Sequence, residues 1–108
     1  MPQALSMATL KVLSAMLQHP TGEHYGLALI EATGVKAGSL YPILRRLEEQ
    51  QWVVGEWEDI DESAEGRRRR RYYKLTPDGL ATATDAVLEA NRQLQVPRNV
   101  PRLGPAFG

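Results

Sequence analysis

Leu40, Leu44 and Leu47 stand at i, i+4 and i+7 with Ile43 beside them, so the segment after Gly34 is an amphipathic helix with one strongly apolar face. A second helix fits just ahead of it, over His24 to Thr33, with Tyr25, Leu29 and Ile30 on one side and Gly34 as its C-terminal stop. Two helices joined by a tight, glycine-containing turn, the second amphipathic, form the pattern of a helix-turn-helix. Ser39 is placed to cap the later helix, which puts Pro42 in its first turn, where a missing amide hydrogen costs little. A start near Ala37 instead carries Pro42 further in, where it strains the helix.

Ahead of this pair, Leu5 to Gln18 has apolar residues at 5, 8, 10, 12, 13, 16 and 17. That stripe is too wide for a helix with a single buried side, and it implies both an intramolecular core and a second, partner-facing surface. His19-Pro20-Thr21-Gly22 breaks it. Behind the pair, Trp52 to Glu58 and Arg71 to Leu75 are rich in Val, Trp and Tyr and read as two strands. The polar stretch Asp61-Glu62-Ser63-Ala64-Glu65-Gly66 reads as part of an extended hairpin loop between them. Tyr72 and Tyr73 alternate across the second strand, which places one in the core and the other near the wing surface. Thr76-Pro77-Asp78 opens a last helix, with an N-cap hydroxyl, Pro at the first position and an acid facing the helix dipole.

The expected architecture is mainly α with a small antiparallel β-hairpin. It comprises a winged helix-turn-helix DNA-binding domain over residues 1–76, a C-terminal dimerisation helix over 77–95 and a Pro-rich flexible tail over 96–108. With 108 residues, 43% of them hydrophobic, the chain is one domain with a modest core. No apolar run is long enough to span a bilayer, which reads as a soluble, cytoplasmic protein with no membrane partner. The absence of cysteine excludes disulfides, thiolate metal sites and thiol nucleophiles. His19 and His24 lie five apart across a Pro-Gly turn, not at the helical spacing of a metal pair, so no metal and no cofactor are expected. No Ser-His-acid spacing or phosphate loop points to an enzyme.

The formal net charge is zero, yet the charges are segregated. Glu56, Glu58, Asp59, Asp61, Glu62 and Glu65 precede five consecutive arginines, Arg67 to Arg71, and then Lys74. Arginine presents planar, permanently charged donors that match phosphate geometry. Beside a helix-turn-helix, this run reads as a wing that grips a duplex backbone, although a solvated loop balancing its own acids is the plainer alternative. On the amphipathic helix, Gly38, Pro42 and Arg45 lie opposite the apolar stripe, with Ser39 and Tyr41 flanking them. The candidate DNA contacts are therefore Lys36, Gly38, Ser39, Tyr41, Pro42, Arg45 and Arg46 on that helix, Arg67, Arg68, Arg69 and Arg70 on the wing, and Tyr25. Tyr41 is open to two readings, a base-facing phenol or a half-buried core aromatic.

Leu80, Val87 and Leu94 recur seven apart in the last helix, with Ala83 and Ala90 nearby, which suits close helix pairing across a homodimer. Leu5 and Leu10 on the first helix join that candidate interface. Trp52 and Trp57 are the only tryptophans. They read first as core, and second as a stacking platform for a small aromatic effector.

Gly38-Ser39-Leu40-Tyr41-Pro42-Ile43-Leu44-Arg45-Arg46-Leu47-Glu48, then Trp52-Val53 and Glu56-Trp57, then Arg71-Tyr72-Tyr73-Lys74-Leu75-Thr76 with Gly79, resemble the PadR family of transcriptional regulators. The likeness spans roughly residues 5 to 90. It implies a homodimeric winged helix-turn-helix, usually a repressor on a palindromic operator, whose last helix pairs with its partner commonly alongside the first. It also implies release from DNA by a phenolic acid or a flat apolar drug. One motif departs: members commonly have His-Gly-Tyr where this chain has His24-Tyr25-Gly26. The rival to a DNA-binding repressor is a winged-helix protein-interaction module that does not regulate through DNA.

Overall fold

A computed structural model describes residues 5–95. The elements run α1 (Met7–Leu17), β1 (His24–Tyr25), α2 (Gly26–Thr33), α3 (Ala37–Glu49), β2 (Val53–Trp57), α4 (Glu62–Glu65), β3 (Arg71–Leu75) and α5 (Pro77–Leu94). The Pro-rich stretch 96–108 expected to form a flexible tail lies outside the described residues.

Each helix begins or ends on a local chemical signal. Ser6 caps α1 by accepting the Thr9 amide at 3.1 Å, and Thr76 caps α5 by accepting that of Gly79 at 2.9 Å. Gly34 closes α2 in the left-handed conformation, φ 75°, which a residue without a Cβ adopts at no steric cost. The end of α3 is a Schellman turn made without glycine. Gln51 takes the left-handed position at φ 64°, its amide bonding the Glu48 carbonyl at 2.9 Å while the Trp52 amide bonds that of Leu47 at 2.9 Å.

The recognition-type helix starts earlier than the Ser39 cap implies. Lys36 occupies the N-cap position without a side-chain bond, and Pro42 therefore sits inside the helix. Propagation back to Ala37 wins because Leu40 is already fully buried by packing, and its amide finds the Lys36 carbonyl at 2.8 Å. Pro42 leaves the Gly38 carbonyl without its i+4 donor, a loss tolerated where that carbonyl belongs to an exposed residue.

The sheet has three strands rather than the two of a hairpin, in the order β1-β3-β2, all antiparallel. His24 and Tyr25, read from sequence as the start of a helix, instead pair with Tyr73 and Tyr72. Two residues are too few to show a strand period, so only the tertiary pairing reveals β1. The hairpin loop also holds a helical turn, α4, whose cap Asp61 accepts the amides of Ser63 and Ala64.

Val12, Leu13 and Met16 of α1, Leu29 of α2, Leu40, Ile43, Leu44 and Leu47 of α3, Val53, Tyr73 and Ala83 make one core. Each fully buried aliphatic there contributes ~1.5–3 kcal/mol, enough that α3 is held by its apolar face rather than its propensity. Tyr73 faces this core at 6% exposure while Tyr72 lies on the other face, the alternation expected of them. The three-helix core with its appended sheet and wing is a winged helix-turn-helix. α5 returns across α1 and closes the bottom of the core through Gly79 and Ala83.

Candidate nucleic-acid interface

Burial of the leucine stripe decides which side of α3 is presented to solvent. Lys36, Gly38, Ser39, Tyr41, Arg45 and Arg46 are exposed and Pro42 is half-buried. Tyr41 packs its hydroxyl and ring edge over Gly26 of α2 while 43% of the residue remains exposed. A Cβ at position 26 would overlap the Tyr41 hydroxyl and ring. The order His24-Tyr25-Gly26 thus puts the one residue lacking a side chain under the tyrosine of the adjacent helix.

The strand register divides the wing between two faces. Val53, Gly55 and Trp57 pair with Leu75, Tyr73 and Arg71, and the side chains of Val53, Trp57, Leu75, Tyr73 and Arg71 share the face of the sheet that meets the core. On that face Arg71 reaches Glu48 at the end of α3, 2.9 Å away, with its guanidinium 5.5 Å from the centre of the Trp57 ring. Gly55 makes room for this pair, since a Cβ there would meet both the Arg71 and the Glu48 side-chain ends. Glu56 and Tyr72 lie on the opposite face with Tyr25, whose ring is 5.9 Å from that of Tyr72.

Glu58 organises that second face. Its Oε1 accepts from Arg67 Nη1 at 2.7 Å, from the Arg70 amide at 2.7 Å and from Arg70 Nε at 3.4 Å. Its Oε2 accepts from Arg67 Nη2 at 3.2 Å and from the Tyr25 hydroxyl at 3.2 Å. The side chain is only 10% exposed. The Arg67 fork, against the opposing cost of burial and helped by the Arg70 amide, lowers its carboxyl to a pKa of about 2. Arg70 completes the cluster by lying over the Tyr25 ring, 5.1 Å from its centre.

The wing arginines therefore differ in kind. Arg67, Arg70 and Arg71 are held by carboxylates, whereas Arg68 and Arg69 are exposed and form no ion pair among the described residues. The backbone amide of Arg69 is tied to the Glu62 carboxylate at 2.7 Å, which fixes the loop and leaves the guanidinium outside. Arg45, Arg46 and Lys36 are likewise unpaired among the described residues. Glu58 and Glu48 are the site residues that sequence reasoning missed. The signal was the strand alternation, which places Glu58 and Arg70 on one face as soon as Trp57 is paired with Arg71.

Other candidates are placed as follows. Ala83 is fully buried within the chain and serves its own core rather than a partner. Leu5 and Val87 are half-buried against that core, as are Leu10, Leu80 and Ala90 by exposure, and Leu94 is 68% exposed. Trp52 packs against the core before β2, and Trp57 ends β2 with 56% of its surface exposed. His24 is buried, and its Nε2 donates to the His19 carbonyl at 2.9 Å. Among the described residues no helix is long and apolar enough to cross a membrane.

The fold recurs in known proteins. The circadian clock associated protein Pex from Anabaena is 27% identical over 81% of this chain and 76% of its own, with a TM-score of 0.61. A PadR family transcriptional regulator from Eggerthella lenta is 26% identical over 82% and 77%, with a TM-score of 0.59. BpsR of Bordetella bronchiseptica shares the fold at 24% identity over 98% and 74%, with a TM-score of 0.71. No curated protein sequence matches the chain. The model of the transcriptional regulator PadR-like family matches residues 12–85, most of the described chain, and on this the chain belongs to the PadR-like family of DNA-binding transcriptional regulators.

Proposed function

We propose that this regulator is a homodimeric repressor that binds an inverted-repeat operator. The observation that carries the reading is the conjunction of an exposed, cation-bearing α3 face with a wing that keeps Arg68 and Arg69 free. Two recognition helices related by a two-fold axis enter successive major grooves ~34 Å apart, which requires the half-sites to be inverted. Ser39, Tyr41 and Arg45 are the base-reading residues, with Gly38 and Pro42 permitting close approach. Lys36, Arg46, Arg68 and Arg69 hold phosphates.

Dimerisation is assigned to α5 and the outer side of α1. Leu88 and Leu94 on α5 are 58% and 68% exposed and Met7 on α1 is 55% exposed, apolar surface that a partner would cover. The wing and helices over residues 1–76 form the DNA-binding unit and 77–95 the pairing helix, with Gly79 and Ala83 anchoring one to the other. A small aromatic effector is the assigned release signal. The support is by likeness: the BpsR structure concerns control of DNA binding by 6-hydroxynicotinic acid, and that of PcaV from Streptomyces coelicolor holds its natural ligand.

Selection of bound duplexes from a random pool tests the reading directly, with light-scattering mass on the same protein. An enriched inverted repeat and a dimeric mass are expected. An unenriched pool at micromolar protein would overturn the repressor assignment.

A further inference from the structure

The contacts around Glu58 are those a protein ordinarily offers to a phosphate. An arginine fork meets both oxygens of the group, a backbone N–H and a second guanidinium meet one of them, and a phenol meets the other. The distances to Arg67 Nη1 and to the Arg70 amide are both 2.7 Å, at the short end for charge-assisted bonds. This is not an ordinary surface ion pair. Arg92 and Glu89, by contrast, meet at 3.0 Å with side chains 71% and 49% exposed, and beyond that pair only the Gln93 side-chain amide, one turn along the same helix, reaches the carboxylate among the described residues, at 3.1 Å. Asp59, the next residue along, is exposed and forms no ion pair among the described residues.

We infer that Glu58 is an internal stand-in for a DNA phosphate, seated in an anion cradle built from Arg67, Arg70 and Tyr25, and that it withholds these two guanidinium groups from non-specific duplex. The inference rests on the reading of the wing as a contact to the DNA backbone. A cation already neutralised by a carboxylate releases no counterion when a phosphate approaches, so it adds nothing to the salt dependence of binding. The five-arginine run therefore counts, on arbitrary DNA, as little more than Arg68 and Arg69. Weak non-specific binding leaves more of the protein free for its operator, because the genome presents a vast excess of competing sites. Glu58 is in this sense a specificity-determining residue that need never touch a base.

The test compares wild type, Glu58→Gln and the charge-matched control Asp59→Asn on a duplex of arbitrary sequence, by fluorescence anisotropy across a salt series. Glu58→Gln frees both guanidinium groups, so the log-log salt slope should steepen by about 0.9 to 1.8, with the tightening largest at low salt. Asp59→Asn, with the same change in net charge, should leave the slope near that of wild type. Equal slopes for all three proteins, or equal steepening in both variants, would overturn the inference. If Glu58→Gln loses its helical circular dichroism, Arg67→Ala against Arg68→Ala carries the test. Only Arg68→Ala should flatten the slope, by about 0.9, and equal flattening in both overturns the inference.

Retention on heparin, a polyanion that reads free cations without regard to DNA, separates the two assignments. A wild-type chain that binds no duplex overturns the DNA reading alone, and later heparin elution of Glu58→Gln than of Asp59→Asn still upholds the cradle.

Discussion

Gly79 lies against the backbone of Trp52 so closely that a β-carbon on the glycine would overlap the tryptophan carbonyl. The contact sits where Thr76 joins the α3–β2 turn, its amide bonding the Trp52 carbonyl at 3.0 Å and its hydroxyl that of Gln51 at 2.7 Å. Because the obstructing atoms are backbone, no rotamer change relieves them. Gly79→Ala should therefore lose about 3 kcal/mol, the upper range for forced overpacking. For a domain of this size that lowers Tm by roughly 15 °C, measured by thermal unfolding under circular dichroism. A shift of only a degree or two would show that α5 docks differently.

Arg45 and the wing should fail in different ways. Arg45→Ala should cost ~1–3 kcal/mol at particular operator base pairs while leaving the salt slope little changed, as removal of a base contact does. Competition binding against single-base operator variants measures this, and a sequence profile identical to wild type removes Arg45 from the reading set.

Arg68→Ala and Arg69→Ala should instead weaken every duplex alike and flatten the log-log salt slope by ~0.9 each. Both guanidinium groups are unpaired among the described residues, so no compensating carboxylate is exposed by the change. Salt titration on operator and scrambled duplex distinguishes this from the Arg45 effect.

Acid should act on two places in sequence. Burial lowers the pKa of the His24 imidazole, although its bond to the His19 carbonyl opposes this. The folded protein thus prefers the neutral ring, and its contribution to stability is present above the unfolded value of 6.5 and lost as pH falls through the folded value. Urea midpoints should accordingly drop on going from neutral pH to below 6. The sign is the same for Glu58, but the window is lower. Its carboxylate supports the wing above 4.5, and that support is lost as pH falls toward about 2. Protection of the Arg70 amide, its exchange rate relative to the unstructured rate at the same pH, should hold at pH 5 and fall below 4.5, whereas a fall already at pH 6 would show that Glu58 does not hold the wing.

The helical part of this fold was legible because its signals are local or strictly periodic. The stripe of Leu40, Leu44 and Leu47 and the Thr76-Pro77 start identify α3 and α5 directly, and the exposed side of α3 follows from the stripe by geometry alone. What escaped depends on partners distant in the chain. β1 exists because Tyr72 and Tyr73 are there to receive it, and the start of α3 is decided by the burial of Leu40 rather than by the nearest hydroxyl. The arginine run was conspicuous, but its members become distinct only when strand register sets Glu58 beside Arg70 and Glu48 beside Arg71. Ala83 resembled an interface residue for the same reason, since a small side chain on a heptad position suits a neighbouring helix of either origin.

The Thr76–Gly79 joint leaves α5 almost no play against the turn that ends α3. In the dimer proposed above, two such chains paired through α5 would behave as a pair of calipers whose arms are locked to the handle. The gap between their tips, the recognition helices, would then be gauged by the angle at which the handles meet. On that proposal, a molecule that wedged the handles apart by a few degrees would move the tips by ångströms, out of step with the turn of the duplex, without approaching a single residue assigned to DNA.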